Sequence, residues 1–357
     1  MIYFGNRRAD LIKGDRHDND PIFEDAIKGL ECLGAAAIKA CILTDRIHKP
    51  RTLKSFVMFQ LARTAFAAEA FDEGRNKMHQ LTYGRPAKER DLDPKLSITM
   101  YLMNWPIILD MVPCLVVNKT KIDFITSDNP VALCNWWFHH IYRQRPGSGI
   151  GLAQAGLEIY LPLSPRHQLI LYDRNIWSVP KANAGGTIYL RKDGDVFALN
   201  ERQVLNAQRN VYFASMGASK HVAELFQECA NRRKADKVRV VEWVQSATHP
   251  QKFVRPGSPE AAPKVREKMI MTEANEIEPA RRVTVFSKRF KPRYYQHPSA
   301  ASPFRDYAWF QIVQQFREQL KSRKLNLDDL DQYAADHPLI HDVGVWKDEY
   351  WEMRLVG

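Results

Sequence analysis

Apolar residues in the first third of the chain recur at the three-and-four spacing of amphipathic helices. Asp20 followed by Pro21 is a typical helix start, because aspartate caps free N–H groups and proline is accepted at the first helical position. The pattern predicts a helix from there and a second helix beginning near Pro50. A third is predicted to begin at Pro94 and to be kinked or ended by Pro106.

From residue 114 the apolar positions change to the alternation and short runs of β-strands. Two pairs of segments flank polar turns and predict hairpins: residues 114–117 with 123–126, and residues 187–191 with 196–199. Asn200, with Gln203 three residues later, predicts the start of a short helix. The same patterns predict further strands at residues 157–161, 169–172, 211–214 and 238–244, and a helix near residues 220–233.

Prolines interrupt polar residues throughout residues 245–280, which predicts a linker. The predicted organisation is therefore a core domain over residues 1–244, the linker, and a basic-aromatic segment with C-terminal helices over residues 281–357. The core domain would consist of helices within residues 20–112 and a sheet within residues 114–244. The predicted fold class is α+β, with a helical N-terminal layer packed on a mainly antiparallel sheet and a small, mostly helical C-terminal region.

The amino-acid composition limits the classes to which this protein can belong. A chain of 357 residues with 45% hydrophobic residues can bury a globular core. No apolar run reaches the length of a membrane helix, and the charged start is not that of a signal peptide, so no membrane partner is expected. Five scattered cysteines without a CxxC pair predict reduced thiols in a cytoplasmic protein. The net charge of +11 is a weak indication of a polyanionic partner.

The most distinctive polar cluster follows an apolar strand, where Ser127, Asp128 and Asn129 precede Pro130. One interpretation is a polar site in which Asp128 and Asn129 act together with Arg63 of the second helix. Such a site suits a phosphate ester, with arginine contacting the anion and aspartate serving as base or as ligand of a divalent metal, and with Ser127 binding substrate. The alternative is a structural turn in which the short side chains bond their own backbone.

The Thr126-Ser127-Asp128-Asn129-Pro130 turn resembles the defining motif of a microbial, largely bacterial family known as domain of unknown function 4238. The resemblance covers roughly residues 15–216. Its other elements are the acidic first helix, residues 59–64, residues 162–165, and the segment from Asn200 to Gln208 that leads to residues 211–213. The resemblance implies no activity. The family's N-terminal His-Tyr-x-Pro-Gln segment has no counterpart in this sequence, so chemistry that depends on its histidine is expected to be absent.

Two further segments carry candidate binding residues. Arg143 and Arg145 lie in a glycine-rich loop and are candidates for contacting substrate. Cations alternate with aromatic rings near residues 281–295, and this combination is typical of single-stranded nucleic-acid binding. The candidate nucleic-acid contacts are Lys288, Arg289, Lys291 and Arg293. The alternative is an edge strand with charged outward positions.

Two functional hypotheses follow. In the first, the protein is an enzyme that acts on a phosphate-containing substrate, possibly nucleic acid, at the Ser127–Pro130 turn. In the second, it is a non-catalytic module that binds nucleic acid or a protein, and the turn is structural. The sequence predicts no oligomeric state.

Overall fold

A computed structural model describes residues 21–85, 98–99, 102–142, 151–233, 238–249, 253–254, 256–261, 268–274, 277–297, 302–322 and 329–337. Its α-helices, in chain order, are α1 Pro21–Thr44, α2 Pro50–Ala62, α3 Ala65–Tyr83, α4 Asp193–Asn206, α5 Ser219–Cys229, α6 Tyr307–Lys321 and α7 Leu330–Ala335. Its strands are β1 Val112–Asn118, β2 Thr126–Ser127, β3 Ala132–Cys134, β4 Glu158–Ser164, β5 His167–Tyr172, β6 Trp177–Ser178, β7 Thr187–Leu190, β8 Val211–Tyr212, β9 Val238–Gln245, β10 Phe253–Val254, β11 Lys268–Ala274 and β12 Ser287–Lys288.

The predicted N-terminal helices are confirmed, and their ends have local causes. Proline occupies the first turn of α2. The Thr64 side chain accepts a hydrogen bond from the backbone N–H of Ala67 and so begins α3 as a separate helix. Gly84, at φ 69°, ends α3 in the left-handed conformation that glycine adopts without steric cost. The predicted start of a third helix at Pro94 lies outside the described residues.

The central sheet has the strand order β3-β4-β5-β1-β7. β7 pairs parallel with β1, whereas the other described pairings in this sheet are antiparallel. Along β1, Leu115 and Val117 belong to the core on one face, and Cys114 and Val116 to the core on the other, as the two-residue period of a strand requires. Helices α1, α2 and α6 cover the first face, and α4 and α5 cover the second. The α+β fold class is therefore confirmed.

The first predicted hairpin is wrong. β1 has β5 on one side and β7 on the other, so neither of its edges is open to the segment that follows it. The side chain of Asn118 accepts from the N–H of Thr120 and donates to the carbonyl of Ile122, which turns the chain away from the sheet. β2 then pairs with β8 instead.

The second predicted hairpin is also wrong, because residues 196–199 lie in helix α4 rather than in a strand. Asp193 and Asp195 occupy the first turn of this helix, where negative charge is favourable next to the free N–H groups. The aspartate-glycine pair that indicated a turn therefore begins a helix. Asn200, predicted as its first residue, lies in its middle.

A smaller sheet has the order β10-β9-β11, and its described pairings are antiparallel. β9 confirms the strand predicted at residues 238–244. Strands β10 and β11 lie within residues 245–280, the segment predicted as a linker. The sequence of β11 contains Met269, Ile270 and Met271, an apolar run that suits a strand. The division of the chain into domains stays a prediction.

Candidate functional site

The Ser127–Pro130 turn lies against the C-terminal end of α4. Both carboxylate oxygens of Asp128 accept hydrogen bonds from backbone N–H groups: Oδ1 from Gln208 at 2.9 Å, and Oδ2 from Arg209 at 2.8 Å and from Asn210 at 3.0 Å. The N–H of Asp128 donates back to the carbonyl of Asn210 at 3.1 Å. The carboxylate thus holds three consecutive amides of the loop that follows the helix.

Three polar residues of α4, spaced three apart, hold the chain on both sides of this turn. Asn200 bonds the carbonyl of Asp123 and the N–H of Ile125. Gln203 donates to the carbonyl of Pro130 and accepts from the hydroxyl of Ser127. Asn206 donates to the carbonyls of Asn129 and Val131. Residues three apart share one helix face, so these side chains form a polar row that binds the backbone of the turn.

Asn129 donates to the carbonyl of Asn206, and its Oδ1 is buried without a hydrogen bond among the described residues. Arg63 lies at the end of α2, where it pairs with Glu31 of α1 and stacks over the ring of Phe59 at 5.2 Å. Within the described ranges, no ion pair joins Arg63 to Asp128. The catalytic role of Asp128, Asn129 and Arg63 stays a prediction. Arg143 and Arg145 lie outside the described residues.

The basic-aromatic strip, residues 281–295, is held to the core along its length. At its start, the buried carboxylate of Glu201 accepts from the N–H of Arg281, and Asp195 accepts from both the N–H and the hydroxyl of Thr284. Further along, β12 pairs with β6. Beyond β12, the N–H groups of Arg289 and Arg293 donate to carbonyls of the loop before β6. The strip is therefore a fixed part of the surface.

The middle of the strip presents a ring among cations. Phe290 is 93% exposed, and Lys288, Arg289 and Lys291 around it are exposed. The Nε of Arg289 donates a hydrogen bond to the backbone carbonyl of Arg174. Arg174 is itself a further cationic residue next to the strip. In the part of the chain that the structure describes, Lys288, Arg289 and Lys291 have no carboxylate within 4.0 Å.

A narrow crevice lies beneath the strip, and the sequence did not predict it. It is lined by Trp136, Glu158, Trp177, Arg202, Arg282, Val283 and Phe286. Glu158 and Arg202 are almost completely buried, and the hydroxyl of Tyr160 donates to the Glu158 carboxylate. Burial raises the pKa of Glu158 to about 7, against the opposing effect of the nearby Arg202. The signal in the sequence was a glutamate inside the apolar run of β4 and an arginine within α4.

A second group of polar residues that the sequence did not bring together lies at the β4–β5 turn. The hydroxyl of Ser164 is 2.8 Å from His167 Nδ1, and His167 Nε2 is 2.8 Å from Asp45 Oδ1. Asp45 also accepts from Thr187 through its carbonyl and pairs with Lys119. These contacts tie the end of α1 to β1, β5 and β7. These contacts thus hold the helical layer on the sheet.

The polar turn and α4 lie in a region that this chain shares with other proteins. A family model described as "Protein of unknown function (DUF4238)" matches residues 13–217. The chain belongs to this family. The DUF4238 region ends just after β8, so it contains the turn, the polar row of α4 and the central sheet, but neither α6 nor the strip. No curated protein and no solved structure matches the chain.

Two further properties of the described residues concern metal binding and membrane insertion. In the described ranges, no three histidine, cysteine, aspartate or glutamate side chains are grouped so as to hold a metal ion. Nor does any described helix combine the length and the apolar character that a membrane crossing requires.

Proposed function

We propose that this protein binds single-stranded nucleic acid through the basic-aromatic strip and that the Ser127–Pro130 turn is architectural. The observation that carries the proposal is Phe290, a fully presented ring surrounded by Lys288, Arg289 and Lys291 on a backbone fixed to the core. Single strands are bound by cations that neutralise phosphates and by rings on which bases stack. Cations and an aromatic ring are both present within residues 288–291.

The attachment of the strip to the core supports a role in binding, rather than a role of its charges in solubility alone. A flexible basic tail loses conformational freedom when it binds, whereas a strip already held by Glu201, Asp195 and the loop before β6 loses little. The alternative of an edge strand with charged outward positions explains the cations but not an exposed phenylalanine between them.

The hydrogen bonding of Asp128 supports the non-catalytic alternative. A general base needs a lone pair directed at the substrate, and a metal ligand needs one directed at the ion. Here three amides already bond to the two oxygens of this carboxylate and take three of its roughly four lone pairs. The turn thus has a sufficient structural role in closing the loop after α4.

The test is the affinity for a fluorescent oligothymidylate, measured over a series of salt concentrations. Replacing Lys288, Arg289 and Lys291 by Gln should lower the affinity and reduce the slope of log K against log salt by about 2, since each phosphate contact on a single strand contributes about 0.7. The matched control replaces three exposed lysines elsewhere, Lys181, Lys192 and Lys220, by Gln. An equal effect in both triple variants would reject the strip as the binding surface.

The role of Phe290 is tested separately from charge. Phe290→Ala should weaken oligothymidylate binding about tenfold at every salt concentration and leave the slope unchanged, because stacking releases no counterions. Tyr212→Ala removes another exposed ring, from β8, and should leave the affinity unchanged. If Phe290→Ala binds as tightly as the unmodified protein, the ring does not stack on a base.

A further inference from the structure

Helix α1 carries apolar residues on a face that the described part of the chain leaves exposed. Between Gly29 and Leu43 its charged residues are Glu31 and Lys39. A helix that is apolar around most of its circumference is normally buried on all sides. Here Leu33 is 56% exposed and Leu43 is 73% exposed. An exposed apolar face of this length is typical of an interaction surface.

The exposed apolar residues recur at alternating spacings of three and four, which is the spacing of residues along the seam between two paired helices. The seam of α1 consists of Ala26, Gly29, Leu33, Ala36, Ala40 and Leu43. Ala40 is half-buried, and the other five residues are exposed. Four of the six side chains are alanine or glycine, so a second helix can approach closely.

Gly29 independently indicates close approach by another molecule. Glycine inside a helix destabilises the helix relative to alanine. At Gly34 the fold explains the glycine, because a Cβ there would collide with the ring of Phe56 on α2. A Cβ at Gly29 would meet no atom of the described chain within 4 Å. A single chain therefore gives no packing reason for glycine at this position, whereas the backbone of a second helix does.

The exposed charges along one edge of the seam change sign from one end of α1 to the other. Asp25 lies near the N-terminal end, Lys39 lies two heptads further on, and Arg46 follows the helix. The pair that Asp25 forms with Lys28 is exposed and therefore weak. An antiparallel pair of copies would place Asp25 beside the basic end of the other helix, whereas a parallel pair would place like charges at the same level.

We propose that α1 pairs with α1 of a second copy of this chain in an antiparallel homodimer. In the register that the seam defines, Leu33 packs against Ala36 of the second copy. Leu43 packs against Ala26 of the second copy in the same register. Each leucine thus meets an alanine, so the face is complementary to itself, as an interface with twofold symmetry requires.

The length of the seam sets the expected affinity. From Ala26 to Leu43 the helix rises about 26 Å. A contact between two helices of this length lies at the small end of specific interfaces, so we expect a dimer that dissociates at micromolar concentrations.

Sedimentation velocity of the full chain over a concentration series tests the dimer. Gly29→Glu places an unpaired charge in the seam of both copies and favours the helix over glycine, so it should weaken dimerisation about a hundredfold without unfolding the protein. The matched control Ala35→Glu adds the same charge at an exposed position of α1 outside the seam and should keep the dimer. A monomer at every concentration would overturn the proposal, as would a dimer that Gly29→Glu leaves intact.

The direction of pairing is tested with the natural cysteines. Cys32 is exposed, whereas the other four cysteines are buried. In the antiparallel pair the two Cys32 thiols lie on the same edge of the seam, about 7.5 Å apart along the axis, so a short bismaleimide should join the two chains. Cys32→Ser should abolish this product. In a parallel pair the two thiols lie on opposite edges, so a dimer that the reagent does not join would reject the antiparallel arrangement.

Discussion

Asp128 shows how a single carboxylate can hold together two segments that are distant in the sequence. It joins β2 to the loop after α4 through three amide hydrogen bonds to a charged acceptor, each stronger than a neutral one. Its short side chain was predicted as the centre of a polar site. The amides that it holds lie 80 residues away in the sequence, so no local pattern could reveal them.

We expect Asp128→Asn to lower the free energy of unfolding by about 1–3 kcal/mol, because the amide removes the charge and one acceptor oxygen. Urea unfolding measures this. Asp25→Asn is the control, since Asp25 forms an exposed pair with Lys28 and should change stability by less than about 0.5 kcal/mol. Equal stability of the two variants would contradict a structural role for Asp128.

Glu158 should make stability depend on pH. Burial raises its pKa from 4.5 to about 7 in the folded state, with Arg202, Tyr160 and Arg282 opposing the rise. The unfolded chain therefore ionises first, and the contribution of Glu158 to stability is complete below pH 4.5 and is lost as pH rises to 7. Asp173, raised from 3.8 to about 6 by burial, acts in the same direction.

In Glu158→Gln, this loss should disappear, so that the stability measured by urea unfolding falls less between pH 5 and pH 7. The difference from the unmodified protein over this pH range is on the order of 2 kcal/mol. The control is Glu224→Gln, which should retain the full pH dependence. A Glu158→Gln curve that keeps the steep fall would show that Glu158 ionises normally in the folded protein.

At the scale of elements, helix α4 was the least predictable part of the chain. An aspartate-glycine pair favours a hairpin turn, but its aspartate also favours the start of a helix. Which of the two forms depends on contacts with residues far along the chain. Here Asp195 meets Thr284 and Glu201 meets Arg281, both from the strip. The strands β4 and β5 were predictable because their apolar runs leave no competing pattern.

Helix α6 is attached to the core by Arg305. Its guanidinium forms a bidentate ion pair with Asp110 and donates to the carbonyls of Ile107, Leu152 and Gln154. Arg305→Met leaves a buried carboxylate and three carbonyls without their donor, and should cost about 3–5 kcal/mol. Heat or urea unfolding measures the loss.

The control for this prediction is Arg317→Met on α6 itself. Arg317 bonds Gln314 of the same helix, so its replacement removes a local contact and should cost less than about 1 kcal/mol. If Arg305→Met and Arg317→Met unfold at the same urea concentration, α6 is not held by the Asp110 pair.

For the whole molecule, the fold class followed from the change of period near residue 114, which separates helices from strands. The order of strands did not follow, because it depends on which distant segments fill both edges of β1. The crevice was also beyond prediction. It forms where β4, α4, β6, the segment after β3 and the strip meet, and these segments are distant from one another in the sequence.

The position of α6 has a consequence during synthesis of the protein. Trp309, Ile312, Val313 and Phe316 complete the same buried cluster as α1 and α2, although they follow the end of the family region by about 100 residues. At ribosomal rates of 5–20 residues per second, the nascent chain spends roughly 5–20 s with this apolar face uncovered. During that interval the emerging chain exposes apolar surface that favours aggregation.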